Sequence, residues 1–494
     1  MIYSVTSVLA EVHGGRTKSL LERIKLMDEN LSTYTTILTT KYNPDYPEIY
    51  HLFKEKKLVS KKTKFENIYE WLSNYNISKP KKSLFKKEFY NTGYSTKQFK
   101  EEKASENVFR YYENGIYKLY KKFHSKNLIH FEDFMSEHSK KKVKRNLYDK
   151  FGNIYLTVNF HPKTNKKLSD SFYGIYGFNY LNRFYDGQDN KIVSIEYKKN
   201  DGTFEYFSNE KQLFQYYFEN KFKEGDIVFN DARLLDRPLI FNKKKTKNVL
   251  VFHSSHRDVE TKEVLSSYRL ALENDEKVYR YLTLTNKQKN DILSKYQINE
   301  EKIQVIPHFI ERKQQNRENI KNQFVYIGRY SPEKQIDQLL YAFKKFKDNT
   351  NNEIKLVMYG KDDKNTLVQI KSLIDELSLS NDVVINGFSN EVHKIFSESI
   401  AALMTSKFEG FGLTLMESTN VGCPVVSYDV DYGPSEIIDN EENGILVKPG
   451  DIDGFAKALE KVLDERYKNV SLKQSLTNDS AMKNYRNLLI DLSK

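Results

Sequence analysis

The sequence predicts an α/β fold class: two doubly wound, parallel α/β domains, the first interrupted by an antiparallel β-rich insertion. Three observations carry that prediction. Residues 308–480 repeat an apolar strand followed by an amphipathic helix, the pattern of a parallel sheet covered by helices. Residues 1–50 and 211–307 show the same alternation. Between them, over 81–210, apolar and polar residues alternate with period two, and 28 of the 130 residues are Phe or Tyr.

In chain order, residues 1–9 read as a short apolar strand. Gly14 and Gly15 follow, then a helix over 17–27 with Leu20, Leu21, Ile24 and Met27 at helical spacing. Hairpin strands are predicted at 108–112, 116–122, 154–160 and 192–198. Turn pairs such as Asn114-Gly115, Asp186-Gly187 and Asp201-Gly202 separate the runs. The α/β pattern resumes with helices at 212–222, 266–275 and 287–296 and strands at 226–230, 248–252 and 303–306. The last part predicts strands at 324–328, 354–360, 383–387, 400–406 and 424–429, with helices at 334–346, 365–377, 391–397 and 413–421. The domain boundaries expected are 1–80 and 211–307 for the two parts of the first α/β domain, 81–210 for the insertion and 308–494 for the second.

Composition narrows the function classes. At 494 residues the chain is long enough for roughly three domains. No apolar run approaches the ~20 residues of a membrane span. The start has no basic region before its apolar stretch and carries Glu11, so a secretory signal is not expected. Cys423 is the sole cysteine, which excludes intramolecular disulfides and cysteine-cluster metal sites. A cytoplasmic protein is expected. The net charge of +12 is unevenly placed: residues 51–210 hold 32 Lys+Arg against 19 Asp+Glu, the rest 47 against 48. Lysines cluster at 54–64, 79–87, 140–145 and 163–167. Such a field favours a polyanionic partner, while a solvated lysine face would have the same composition.

Each chemical motif follows a predicted strand, where α/β sheets bind ligands. Glu409 and Glu417 stand eight positions apart with Gly410 and Gly412 between them. Gly412 can open a helix whose free N–H groups, including those of Leu413 and Thr414, form a phosphate site. Glu417 lies one turn inside, within reach of ribose hydroxyls. Arg329 and Lys334 flank Pro332 at another strand end and can converge on an anion, as fork and point charge. An ion pair with Glu333 or Asp337 is the structural alternative. Gly14-Gly15 permits close backbone approach to phosphate or sugar, although the pair is common in turns. His253, directly after a strand, can hydrogen-bond a sugar hydroxyl or phosphate, or simply pack. A metal reading of His253 and His256 finds only Asp258 and Glu260 close by. Asp429-Val-Asp431 imitates an Asp-x-Asp metal motif and reads as ligand-loop structure, with Mg²⁺ binding as the lesser alternative.

Together these motifs resemble the family 4 retaining glycosyltransferases of the GT-B fold, across nearly the whole chain and in order. The opening Gly-Gly-Arg-Thr-Lys-Ser-Leu, the loop Tyr-Gly-Pro-Ser-Glu-Ile-Ile (432–438) and the insertion are closest to bacterial wall teichoic acid α-glycosyltransferases. In those proteins such an insertion mediates oligomerisation, as a trimer in at least one case. A related branch glycosylates serine-rich adhesins. The resemblance implies two Rossmann-like domains facing across a cleft. It implies a UDP-sugar donor, glucose or N-acetylglucosamine, used without metal or other cofactor, with retention of configuration. Arg329 and Lys334 would hold the diphosphate with the amides of Leu413 and Thr414, and Glu417 the ribose. Glu409 would contact the donor sugar, His253 the sugar or β-phosphate, and Gly387-Phe388 the uracil. The acceptor would enter near Gly14 and Gly15.

The partners so implied are the teichoic acid polymer, further copies of the chain in a homo-oligomer, and the anionic inner membrane face as a peripheral contact. No nucleic acid is expected. A multi-Lys surface at 140–167 would attract a phosphodiester polymer in a salt-dependent way. The alternatives are a protein O-glycosyltransferase and an inactive polyanion- or sugar-binding protein.

Overall fold

The computed structural model describes residues 1–11, 14–74, 91–174, 176–313, 317, 319–350, 352–363, 365–468 and 470–494. The lysine cluster at 79–87 and the boundary expected near 80 lie outside the described residues. The chain divides into two compact units, one of residues 1–13, 34–228 and 234–246, the other of 14–33, 229–233 and 247–494.

In the first unit, strands Ile2–Thr6, Thr35–Thr39 and Lys64–Asn67 pair in parallel, Ser4 opposite Ile37 and Leu38 opposite Glu66. Parallel neighbours need a crossover, and helix Tyr46–Glu55 supplies the second of these. Helix Ile68–Leu72 starts on a capping box in which Asn67 and Glu70 satisfy each other's backbone N–H groups.

The insertion is a ten-stranded antiparallel meander from Lys100–Ser105 to Phe204–Phe207, each strand beside its chain neighbour. Four strands fall where the alternation placed them: Val108–Glu113, Ile116–Ser125, Ile154–Phe160 and Ile192–Lys198. Strand Lys100–Ser105 is exposed at every residue and so shows no apolar alternation to read. Asn114 and Gly115 both adopt positive φ, 49° and 77°, the primed turn that matches strand twist. Leu119, Ile129, Phe172, Leu181 and Ile195 are buried along the sheet. Not every lysine of the basic segment faces solvent. Lys121 is buried with its ammonium on the carbonyls of Thr92 and Tyr94 and near Glu132. Burial lowers its pKa, and Glu132 opposes that shift.

The second unit holds the parallel strands Lys247–Val251, Arg280–Thr283 and Ile303–Val305 and a six-stranded sheet. That sheet runs Val383–Asn386, Lys355–Tyr359, Gln323–Ile327, Ala401–Met404, Val425–Tyr428, Gly444–Val447, all pairings parallel. Chain order reverses between Gln323–Ile327 and Ala401–Met404. The crevice beyond their carboxyl ends is the topological switch point, where such sheets bind ligands. Apolar clusters pack on both faces, one around Phe324, Phe343 and Phe455, the other around Val325, Phe411 and Leu415. Helix Gly15–Asn30 packs on the final helix Asn478–Ser493. Among the described residues no helix is long and apolar enough to cross a membrane.

Candidate active site

The loops leaving the two switch-point strands carry Lys334 and Glu409, and these meet: the Lys334 ammonium lies 2.6 Å from Glu409 Oε1. Ser406 Oγ donates to the same oxygen at 2.8 Å. Thr405 Oγ1 ties the two loops together by donating to the carbonyls of Lys334 and Gln335, at 3.1 and 3.0 Å. The backbone of Glu409 is held from both sides, its N–H on the Asp431 carbonyl and its carbonyl accepting from Tyr432 N–H.

From Glu409 onward each residue of the loop reaches a different group. A Cβ on Gly410 would lie 2.2 Å from the His253 carbonyl oxygen, so only glycine lets this backbone pass. Phe411 meets the His308 ring edge-on, 5.2 Å between centroids. Gly412, at φ 96°, caps helix Leu413–Asn420 without any side-chain cap. The first amides of that eight-residue helix therefore have no side-chain acceptor. Leu413 in turn touches Gly15, the first residue of helix Gly15–Asn30, which also starts on a glycine without a side-chain cap. Two helix N-termini thus lie together, and their partial positive charges favour an anion.

Glu417 is buried one turn inside its helix and pairs with Lys18 of the facing helix. Burial works against the Lys18 ammonium, but Glu417 and Glu22 raise its pKa above the ordinary value. Burial pushes the Glu22 carboxyl up to about 7 against the pull of Lys18, and Glu417 adds to the rise.

His253 closes another side. Its Nε2 lies 2.7 Å from Asp231 Oδ1. Asp231 is fully buried and also accepts a fork from Arg23, at 2.9 and 2.7 Å. Burial pushes the Asp231 carboxyl up, but Arg23 and His253 reverse this and hold it below the usual carboxylate range. An ionised carboxylate only accepts, so the proton on His253 sits at Nε2. Burial keeps the ring neutral by lowering its pKa, against the opposing pull of Asp231. Nδ1, which has no hydrogen-bond partner among the described residues, is then a lone-pair acceptor. The His308 ring stacks parallel to His253 at 5.7 Å, its pKa pushed well down by burial and by His253.

Other motifs take structural positions. Arg329 is exposed and pairs with Glu333 and Asp363, at 2.7 and 2.6 Å, instead of turning toward Lys334's partner. Of the two ion-pair carboxylates considered from sequence, Glu333 is used and Asp363 replaces Asp337. Gly14 is extended with nothing within 4 Å of a Cβ, whereas Gly15 is taken up by Leu413. Gly387 and Phe388 follow strand Val383–Asn386, Phe388 largely exposed. Thr414 lies in the first turn of helix Leu413–Asn420. Asp431 is ringed by Lys287, Lys262 and Arg257, which explains the Asp-x-Asp imitation as an ion-pair anchor. His256 is buried against Tyr432, both ring nitrogens without a hydrogen-bond partner among the described residues.

Lys18, Arg23, Asp231 and His308 were not read from sequence. Asp231 follows a strand end directly, the positional signal that singled out His253, and His308 lies three residues beyond one.

Residues 308–479 match the family described as glycosyl transferases group 1. That span is a group 1 glycosyltransferase domain. The whole chain is similar to a poly(ribitol-phosphate) α-N-acetylglucosaminyltransferase of Staphylococcus aureus, 26% identical over 90% of this chain and 88% of that protein. It is also similar to a poly(glycerol-phosphate) α-glucosyltransferase of Bacillus subtilis, 24% identical over 92% of this chain and 69% of that one. Among solved structures, S. aureus TarM superposes with a TM-score of 0.83 at 21% identity, covering 99% of both chains. That crystal structure is of a point mutant in complex with fondaparinux, α-GlcNAc-glycerol and UDP. The fold of this chain is therefore GT-B, and Lys334, Glu409, Gly412 and Glu417 of the candidate site lie within the matched span.

Proposed function

We propose that the chain is a UDP-sugar-dependent α-glycosyltransferase that moves glucose or N-acetylglucosamine onto hydroxyls of wall teichoic acid, a poly(polyol phosphate). The observation that carries this reading is the loop from Glu409 to Gly412. Within four residues it meets Lys334, the backbone of His253 and the ring of His308, and opens a helix N-terminus against a second one. A diphosphate bound there faces an ammonium and uncapped amides, and a hexose beyond it faces a carboxylate and an imidazole. The two relatives that span most of the chain modify polyol-phosphate polymers, which supports the acceptor class.

In this reading the bond between the anomeric carbon and the UDP oxygen breaks as an acceptor hydroxyl attacks from the same face. The hydroxyl proton passes to the departing phosphate, and the α configuration is retained. Charge developing on the diphosphate is met by Lys334 and the amides of Leu413 and Thr414, fixed in place beforehand. Arg329 exchanges its carboxylates for the same diphosphate. Glu417 releases Lys18 to bind the ribose, and Gly387-Phe388 lies against uracil. His253 Nδ1 accepts a hydroxyl of the hexose, and Glu409 orients the reacting face. The acceptor approaches along Gly14, where the backbone is open. The chain works as a homo-oligomer, a trimer built through the insertion, in the cytoplasm at the inner membrane face.

The test offers UDP-glucose and UDP-N-acetylglucosamine with poly(glycerol phosphate) and poly(ribitol phosphate), measuring UDP release and the anomeric signal of the product. One donor–polymer pair is expected to stimulate release well above donor hydrolysis and give an α-glycoside. Release that no polymer accelerates overturns the proposal.

A further inference from the structure

The loops that carry Lys334 and Glu409 run on into a second cavity, of about 380 Å³. Gln335, and Gln338 from the helix that follows it, come to the wall on one side, Lys407 and Phe408 on the other. The segment after strand Val425–Tyr428 completes it with Asp429, Asp431 and Tyr432. That segment is bound to the candidate site through backbone: Glu409 N–H donates to the Asp431 carbonyl at 3.1 Å, and Tyr432 N–H donates to the Glu409 carbonyl at 2.8 Å. Lys407 N–H donates to the Glu333 carbonyl at 2.8 Å, beside Lys334. The cavity therefore shares its walls with the two residues at the centre of the site.

The cations on this wall already have partners. Arg257 pairs with Asp291, Lys262 with Asp431 at 3.6 Å and Lys407 with Glu260 at 2.6 Å. Asp258 is engaged in its own turn, accepting from the N–H groups of Glu260 and Thr261 at 3.0 and 2.9 Å. The unmatched groups are acceptors. The Asp429 carboxylate is exposed and forms no ion pair or hydrogen bond among the described residues. Gln338 Oε1 has no hydrogen-bond partner among the described residues, so a half-turn of its amide toward the cavity breaks no bond of that oxygen. A phosphate entering here meets an unmatched carboxylate, whereas a hydroxyl meets acceptors for its proton. Phe408, exposed beside them, offers an apolar face to the carbons between hydroxyls.

Glycerol linked through both end carbons into a phosphodiester chain keeps a single hydroxyl, the one that transfer consumes. Ribitol linked in the same way keeps further hydroxyls that stay free on the reacting unit. We propose that this cavity holds the non-reacting hydroxyls of a ribitol unit on Asp429 and Gln338, with Phe408 against its carbons, and that the acceptor is poly(ribitol phosphate). The inference rests on the polymer reading above and deepens it by naming the polyol. A site built to accept from hydroxyls discriminates against an acceptor that lacks them, because its own polar groups are then left unpaired. A hexose already attached to the polymer offers the same hydroxyl chemistry, and the arms of the experiment separate the two sources.

The experiment compares the full-length protein with Asp429→Ala and Gln338→Met. Each is assayed with bare poly(ribitol phosphate), with partly glycosylated poly(ribitol phosphate) and with poly(glycerol phosphate). Initial rates of UDP release give kcat/KM for each polymer, and release without polymer gives donor hydrolysis. The unsubstituted protein is expected to prefer the ribitol polymer. Either substitution should lower kcat/KM on the bare ribitol polymer about tenfold, the size of one lost hydrogen bond of this kind. Asp429→Asn, which keeps an oxygen acceptor, should recover part of that loss. The smaller kcat/KM on poly(glycerol phosphate) and the rate of donor hydrolysis stay unchanged. A preference for the glycerol polymer, or values on the two polymers that stay the same or fall equally, overturns the ribitol assignment while leaving the glycosyltransferase reading intact. A loss confined to the partly glycosylated polymer overturns it in favour of an attached hexose, and a raised donor KM in favour of the donor. If the unsubstituted protein hydrolyses donor but transfers to neither polymer, both readings fall together.

Discussion

In the proposed reaction the chemistry turns on Lys334, whose ammonium sits at the switch point, held there by Glu409 at 2.6 Å. Lys334→Ala removes the fixed charge that would face the leaving diphosphate in that reaction. Turnover should fall about a hundred- to a thousandfold, with a much smaller change in donor KM, in steady-state UDP release. Loss confined to KM would assign Lys334 to ground-state binding alone. His256 offers a pH test of a different kind. Burial and the neighbouring Arg257 push its pKa down to about 4 against the pull of Asp291, from an ordinary 6.5. Between those values the unfolded chain binds the proton that the folded ring refuses. Stability therefore falls as pH drops from 6.5 and has lost about 3 kcal/mol near pH 4. His256→Phe keeps the ring stacked on Tyr432 and removes both nitrogens, so its acid unfolding midpoint should move to lower pH with stability at pH 7 maintained. An unchanged midpoint would place the acid sensitivity elsewhere. Residues such as Glu409, Glu417 and His253 were legible because each sits in a short motif after a strand. Lys18 and Arg23 were not, because a helix face carries no strand-end signal, while Asp231 has that signal without a motif around it.

The element that matters most is the loop between strand Ala401–Met404 and helix Leu413–Asn420. Its glycines are there for packing as much as for phosphate. Gly410→Ala would place a methyl 2.2 Å from the His253 carbonyl oxygen, backbone against backbone, so the loop must shift. The expected outcome is a stability loss of about 1–3 kcal/mol in denaturant unfolding. Activity should fall more than Tm does, since the same backbone carries Glu409. Gly174→Ala, whose Cβ meets nothing nearer than 3.9 Å, is the control and should leave both unchanged. Equal tolerance at the two positions would show the loop to be free to move. At this scale the α/β elements named from sequence lie within a few residues of the observed ones, whereas strands Thr35–Thr39, Lys64–Asn67 and Gly444–Val447 and helices Tyr46–Glu55, Ile452–Lys461 and Asn478–Ser493 were not named. Strand Val425–Tyr428 and helix Leu413–Asn420 announce themselves by composition, one opening on paired valines, the other opened by a glycine. Arg329 was harder to place, because an arginine at a strand end has the same local sequence whether it faces phosphate or pairs with Glu333 and Asp363. Most strands of the insertion escaped as well. In a sheet exposed on both sides of its outer strands, such as Lys100–Ser105, neither face has to be apolar.

At the scale of the whole molecule, the charge distribution separates two demands that one polyanionic reaction makes. The excess of basic residues lies between 51 and 210, largely on the insertion, while the remainder of the chain is close to neutral. Donor and acceptor are both anionic, yet in the proposed reaction they are met by different kinds of charge. The donor diphosphate meets an enclosed group, Lys334 at only 18% exposed, and the amides that open helix Leu413–Asn420, where mobile ions screen poorly. The polymer meets exposed lysines on a sheet face, where a Debye length of about 10 Å at 0.1 M salt governs attraction. Raising salt from about 0.05 M to about 0.5 M should therefore raise polymer KM steeply and donor KM little. Transfer to a single glycerol phosphate unit, which carries one charge only, should follow the donor's weak dependence. Initial rates across the salt series with both acceptors check this directly. Equal salt dependence for the long and the short acceptor would mean that the basic surplus plays no part in holding the polymer.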